Sequence, residues 1–235
     1  MKNFFITGTD TGVGKTLITC ALMVALRERG IHVAPMKPVA AGVEASPVGT
    51  NDDDQILNDD VAQMLSVYGK PIDAHIVNPY CFGEAIAPHL AAQHEGRTID
   101  LKNIDAAFQS LARNHDTVLV EGAGGFLVPL SATESMSVLP ARLGLDVILV
   151  VGMRLGCLNH ALLTVEAIHV RGIKLAGWVA NTIDPHMNCF TENIETLKQI
   201  IAAPCLGIVG YLPANKIRNN VDEAASNLEI GPLLG

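Results

Sequence analysis

No block of lysine and arginine interrupts this 235-residue sequence, whose formal net charge is −8. Nucleic-acid binding rests on clustered cations that neutralise phosphates, so a nucleic-acid partner is excluded from the reading. Cysteine is sparse and scattered: Cys20, Cys81, Cys157, Cys189 and Cys205 form no C-x-x-C pair, which leaves neither a disulfide framework nor a zinc site. Histidine gives no metal spacing either, since His89 and His94 are separated by apolar residues and Gln, and such residues read as core or solvated histidines. A long apolar run is also missing. Mean hydropathy is +0.31, yet the most apolar stretch, "LGLDVILVVGMRLG", is broken by Asp146 and Arg154, short of the roughly 20 residues a membrane span needs. It reads as a buried strand, with no membrane association. The opening "MKNFFITGTD" has too short an apolar core for a secretory signal, and a cytoplasmic protein is expected. No internal repeat or low-complexity tract occurs.

What is present is a composition of 49% hydrophobic and 17% charged residues, enough to bury the core of one globular domain spanning residues 1–235. Short apolar runs alternate with longer amphipathic ones, the pattern of an α/β fold with a mostly parallel sheet and helices on both faces. "NFFIT" (residues 3–7) is the first expected strand. "KTLITCALMVALRERG" follows as a helix, stopped by Gly30 after a basic last turn. "HVAPMKPV" gives a second strand ending around Lys37 and Pro38, because proline cannot donate to a sheet ladder. Later strands are expected at "TVLVEG", "DVILVVG", "LAGWVAN" and "LGIVGYL". Helices are expected at "DQILNDDVAQMLSVYG", "DLKNIDAAFQSLARNH", "LNHALLTVEAIHVRG" and "TENIETLKQIIA". The strands are apolar throughout instead of alternating, which predicts cover on both sheet faces. Residues 41–51 and the tail after Leu212 are rich in Gly, Pro, Asn and Ser and read as loops.

In such a sheet, ligands lie beyond the carboxyl ends of the strands. After the first strand comes "GTDTGVGKT", Gly8 to Thr16, and then a helix at once. A phosphate-binding loop is usually G-x-x-x-x-G-K followed by Ser or Thr, and this one is a residue longer. The Gly14-Lys15-Thr16 end stays locked to the helix, and Gly8 and Gly12 can absorb the longer arc. Glycines let backbone N–H groups converge on an anion, the helix N-terminus adds partial positive charge, and Lys15 supplies a full charge near the outer phosphates. Thr16 can offer a hydroxyl to Mg²⁺. The alternative is a Gly-rich turn with a capping Thr.

Glu121 follows the buried strand "TVLV" and is a candidate acidic partner for the metal, with Gly122, Gly124 and Gly125 allowing close backbone approach to a ligand. Lys37 ends the second strand and would face the same crevice as Lys15, holding an acceptor anion or the charge developing in transfer. Its plain alternative is a solvated strand-end lysine. Asp52, Asp53 and Asp54 form an acidic run that could cap the next helix, and one of the three is a candidate third carboxylate near Mg²⁺, the spacing leaving open which. The turn from Arg154 into "RLGCLNHALLTVEAI" offers free N–H groups to a carboxylate, Asn159 capping being the alternative.

Over essentially its whole length the sequence resembles the dethiobiotin synthetases. "FFITGTDTGVGKT", "MKPVAAG", "NDDD", "VNPYCF", "APHLAAQHEG", "VLVEGAGG", "ILVVGMRLGCLNHALLT" and "AGWVAN" occur in that family's order. The resemblance implies a P-loop fold, a homodimer, and ATP- and Mg²⁺-dependent conversion of 7,8-diaminononanoate and CO₂ to dethiobiotin. It implies that Gly12, Val13, Gly14, Lys15, Thr16 and Leu17 hold the phosphates and that Thr16, Asp54 and Glu121 arrange Mg²⁺. Lys37, with Lys15, would be the catalytic lysine. Glu121, Gly122, Ala123 and Gly124 would line the nucleotide, with Asn181 reading the adenine edge and Thr182, Gly210, Tyr211 and Leu212 around the base. Thr11, Lys37 and Ala41 would face the substrate, and Gly156, Cys157 and Asn159 would hold its far carboxylate from the neighbouring subunit. The sequence departs from the family's frequent residues at Gly12, Ala41, Gly210 and Ile217. Regulatory ATPases of the chromosome-partitioning type are the rival reading, but they carry an extra lysine early in the loop where Asp10 and Thr11 stand here.

Overall fold

The computed structural model describes residues 2–43, 57–212 and 217–235. Its centre is strand β1 (Phe4–Gly8), whose five residues are all buried. Alternate side chains leave a strand on opposite faces, and here both faces are covered. Phe5 joins one apolar cluster, while Phe4 and Ile6 join a second on the other side. Strand β6 (Asp146–Met153) behaves in the same way, sending Val147, Leu149 and Val151 to the first cluster and Ile148 and Val150 to the second. This is why the strand sequences are apolar throughout.

The main sheet adds β2 (Val33–Met36), β5 (Thr117–Gly125), β7 (Leu175–Thr182) and β8 (Cys205–Val209), in the order β2-β5-β1-β6-β7-β8. Every pairing in it is parallel. The chain first moves outward from β1 to β2, returns through β5 beside β1, and then builds β6 to β8 on the other side. The order therefore reverses at β1, and the crevice at its carboxyl end is the switch point where such sheets take ligands.

Helix α1 (Lys15–Glu28) covers the second cluster together with α2 (Asp59–Tyr68) and α9 (Ile217–Ser226). The opposite face is covered by α5 (Leu101–Asn114), α7 (Cys157–Val170) and α8 (Phe190–Ile200). Between α2 and α5 the chain forms α3 (Ala74–Val77), β4 (Tyr80–Phe82) and α4 (Pro88–His94), and α6 (Val138–Leu143) follows β5. Lys37 and Pro38 do end β2, and the chain resumes as β3 (Val39–Ala41), which pairs with β4 in a separate two-stranded parallel sheet.

Two expectations need correction. The tail after Leu212 is not all loop: α9 buries Val221, Ala224 and Ala225 against α1, a three- and four-residue spacing that the surrounding Asn residues obscured. The helix expected from residue 54 begins at Asp59, because Asn58 is its cap, with Oδ1 accepting from the Asp60 amide at 3.1 Å. Asp52, Asp53 and Asp54 lie outside the described residues, as does most of the loop expected over 41–51. Among the described residues no helix is long and apolar enough to cross a membrane.

Candidate active site

The loop from Gly8 to Thr16 turns at the carboxyl end of β1. Its extra residue is accommodated by continued pairing with β6: the Thr9 amide donates to the Val150 carbonyl at 3.0 Å, and the Gly152 amide donates to Thr9 Oγ1 at 3.2 Å. Gly12 and Gly14 take φ of 72° and 88°, in the left-handed region that side chains avoid. Gly14 has a second reason to lack a side chain, since a Cβ there would lie 2.2 Å from Asn181 Nδ2. The Asn181 amide instead supports the loop from below, donating to the Val13 carbonyl at 2.8 Å.

Lys15 opens α1 and folds back over the loop, with Nζ donating to the Asp10 carbonyl at 2.9 Å. It is buried, and burial pulls its pKa below the ordinary lysine value despite the opposing charge of Glu121. Asp10 is held in turn by Arg154, at 2.5 Å, and by the Thr11 amide at 2.7 Å. The Thr11 bond, more than the Arg154 charge, lowers the Asp10 pKa.

Next to Lys15 in the first turn of α1, Thr16 Oγ1 lies 2.8 Å from Asp60 Oδ1 and 2.9 Å from Glu121 Oε1. Lys37 donates to Glu121 Oε1 at 2.7 Å and to Asp60 Oδ2. Glu121 is 0% exposed and Lys37 4%. Burial alone would lower the Lys37 pKa, but the carboxylates of Glu121 and Asp60 outweigh it and hold the ammonium above its usual value. Asp60 shows the converse: burial would raise it, and the Lys37 charge with hydrogen bonds from Lys37 and Thr16 keeps it low. Its side chain is 43% exposed, so one carboxylate opens towards solvent while the other is sealed beneath it.

Lys15, Thr16, Lys37 and Asp60 border a cavity of about 710 Å³, within the usual range for small-molecule sites. Of the candidate residues, Thr11, Gly12, Gly14, Lys15, Thr16, Leu17, Lys37, Ala41, Ala123 and Gly124 line it. The two lysines thus share one cleft. Glu121, Gly122 and Val13 are buried behind the lining. The remaining candidates lie elsewhere. Asn181 sits under the loop, and Thr182 donates to the Val209 carbonyl at 2.8 Å. Gly210 and Tyr211 are exposed just beyond β8, with Leu212 half-buried beside them. At the start of α7, Gly156 has φ of 93° and is exposed, as is Asn159, whereas the Cys157 side chain is buried and its amide already donates to the Arg154 carbonyl at 3.0 Å. That amide is not a free N–H group of the turn.

Sequence reasoning missed Asp60, which joins Glu121 as a second carboxylate meeting both Thr16 and Lys37. The available signal was Asn58 as an Asx cap, which sets Asp60 in the first turn of α2. It also missed Ala85, Ile86, Ala87 and Pro88, an apolar part of the same cavity lining, signalled by an apolar run ending in a helix-opening proline.

A family model described as an AAA domain matches residues 2–216. Among curated proteins, an ATP-dependent dethiobiotin synthetase of Aromatoleum aromaticum is 49% identical over 211 residues, 90% of this chain and 91% of its own length. One of Cellvibrio japonicus is 45% identical over 233 residues, covering 99% and 98%. The chain belongs to the ATP-dependent dethiobiotin synthetase family. Membership makes it an ATP-dependent ligase. Solved structures with a like fold include the cell-division ATPase MinD of Pyrococcus furiosus, at a TM-score of 0.54 and 17% identity over 99% of this chain and 100% of that one. MinD of Aquifex aeolicus has a TM-score of 0.54 at 15% identity, covering 95% and 87%. At these identities the likeness shows the P-loop fold alone.

Proposed function

We propose that the chain, as one domain over residues 1–235, joins CO₂ to 7,8-diaminononanoate with ATP and closes the cyclic urea of dethiobiotin. The observation that carries this reading is the shared cleft of Lys15 and Lys37. Phosphate recognition explains one lysine, and an acceptor anion explains the second. One amine nitrogen of the substrate attacks CO₂ and, on losing a proton, becomes a carbamate. A carbamate oxygen then attacks the γ-phosphorus and ADP leaves. The second amine attacks the carbonyl carbon of the resulting mixed anhydride, closing the ring and releasing phosphate.

Lys37 offsets the charge of the carbamate, and Lys15 and the loop amides hold the phosphates, so the residues act by positioning and charge stabilisation and no protein base is required. The apolar wall from Ala85 to Pro88 suits the alkyl chain of the substrate. Among the described residues no three His, Cys, Asp or Glu side chains come together. Thr16, Asp60 and Glu121 are instead a hard-oxygen set that fits Mg²⁺ when phosphate and water oxygens complete its shell. Bound there, the metal supplies charge neutralisation on the phosphates. The base would lie towards Asn181, Thr182 and Gly210 to Leu212.

A homodimer that works in the cytosol belongs to the same reading. Its support is Leu155 at 94% and Leu163 at 58% exposure beside Gly156 and Asn159, apolar surface that a second copy would cover while presenting those residues to the substrate carboxylate. The test is dethiobiotin formation from diamine and ATP with bicarbonate supplied or omitted. Product that depends on bicarbonate supports the reading, and phosphate release at one rate with or without diamine counts against it.

A further inference from the structure

Thr19 lies in α1 three residues after Thr16, is 0% exposed and does not line the cavity. Its hydroxyl lies 2.7 Å from Glu121 Oε2 and 2.9 Å from the Lys15 carbonyl. A single proton serves one acceptor at a time, and the ionised oxygen is both closer and the stronger partner. Glu121 has no exposure to water, so each of its oxygens depends on protein donors. Oε1 takes Lys37 and shares the single Thr16 proton with Asp60 Oδ1, while Oε2 takes Thr19. The terminal torsion of a glutamate is broad. Anchoring Oε2 from behind is therefore what fixes the direction in which Oε1 meets Thr16 and Lys37.

We propose that Thr19 is a positioning residue for the reaction: it holds Glu121 so that Oε1 stands ready for the metal of the nucleotide. The inference rests on the reading of Thr16, Asp60 and Glu121 given above. Without the hydroxyl, Oε2 is left charged, buried and unpaired, and the carboxylate turns to share both oxygens with Lys37 and Thr16.

The experiment compares Thr19→Val, which keeps the shape and removes the donor, with Thr19→Ser, which keeps the donor. Mn²⁺ is titrated into each protein with a non-hydrolysable ATP analogue bound. Thr19→Val is expected to weaken Mn²⁺ binding about tenfold or more, the usual effect of losing a partner behind a metal ligand. Thr19→Ser is expected to match the parent, and KM for the diamine should stay unchanged in both. Unchanged Mn²⁺ affinity in Thr19→Val beside a lowered Tm would overturn the proposal, since a purely structural role predicts that. So would equal impairment of Thr19→Ser, which would assign the effect to the methyl group. Should Thr19→Val fail to fold, Thr19→Ala carries the same measurement. Absence of Mn²⁺ binding by the unsubstituted chain would refute the metal reading itself, and this inference with it.

Discussion

Replacing Lys37 with methionine removes the cation between two carboxylates while keeping most of the side-chain volume. Glu121, at 0% exposure, then retains only the hydroxyls of Thr16 and Thr19. Stripping one partner from a buried ion pair costs about 3–5 kcal/mol, because the remaining charge stays in a low-dielectric site. For a chain of this size that corresponds to a Tm lower by roughly 6–20 °C. A divalent cation can fill the same place. Added Mg²⁺ at a hundredfold excess over its Kd would restore about 2.7 kcal/mol to Lys37→Met, and far less to the parent, where Lys37 already sits between the carboxylates. The assay is thermal unfolding of both proteins in chelator and in Mg²⁺. Lys37→Met should also retain nucleotide and form no product. Equal stability in chelator, or equal stabilisation by Mg²⁺, would refute the view that Lys37 and the metal compete for one pair of carboxylates.

Gly14→Ala should abolish nucleotide binding measured by titration, since the new Cβ meets Asn181 at 2.2 Å and the backbone there has φ of 88°. Asn58→Ala removes the cap on the Asp60 amide and the 2.8 Å bond to the Gly42 carbonyl; it should cost about 1–2 kcal/mol in denaturant unfolding and raise the Mg²⁺ requirement. The third concerns pH. Burial holds the His115 pKa below its ordinary 6.5, with the neighbouring His32 adding to the effect. The unfolded chain therefore takes up the proton first, and stability present above pH 6.5 declines as pH falls through the folded value. His115→Gln should flatten that part of the unfolding profile, and an unchanged acid slope would remove His115 as its source.

The phosphate end of the site was legible because its signals are local. A buried strand, glycines at Gly12 and Gly14, and Lys15-Thr16 opening a helix are contiguous in sequence. Lys37 was legible as a residue at a strand end, and Glu121 as an acid after the apolar run "TVLV", although β5 continues past it to Gly125. Asp60 was not, because Asp52, Asp53 and Asp54 offered an equally good helix cap four to six residues before Asn58, and only the tertiary contact with Thr16 and Lys37 selects a carboxylate. The β3–β4 pair escaped notice because three-residue strands carry no periodicity. Helix α9 escaped because Asn219 and Asn220 argue for a loop until Val221, Ala224 and Ala225 find α1 to pack on.

The central claim is that the phosphoryl group passes to an oxygen that entered as CO₂. Heavy-oxygen-labelled bicarbonate, supplied with diamine and ATP, tests it directly. If a carbamate oxygen attacks phosphorus, the labelled atom leaves in the phosphate released at ring closure, so phosphate and dethiobiotin both carry label. Unlabelled phosphate appearing alongside labelled dethiobiotin would contradict the account, because the cleft would then be splitting ATP with water and closing the ring by another route.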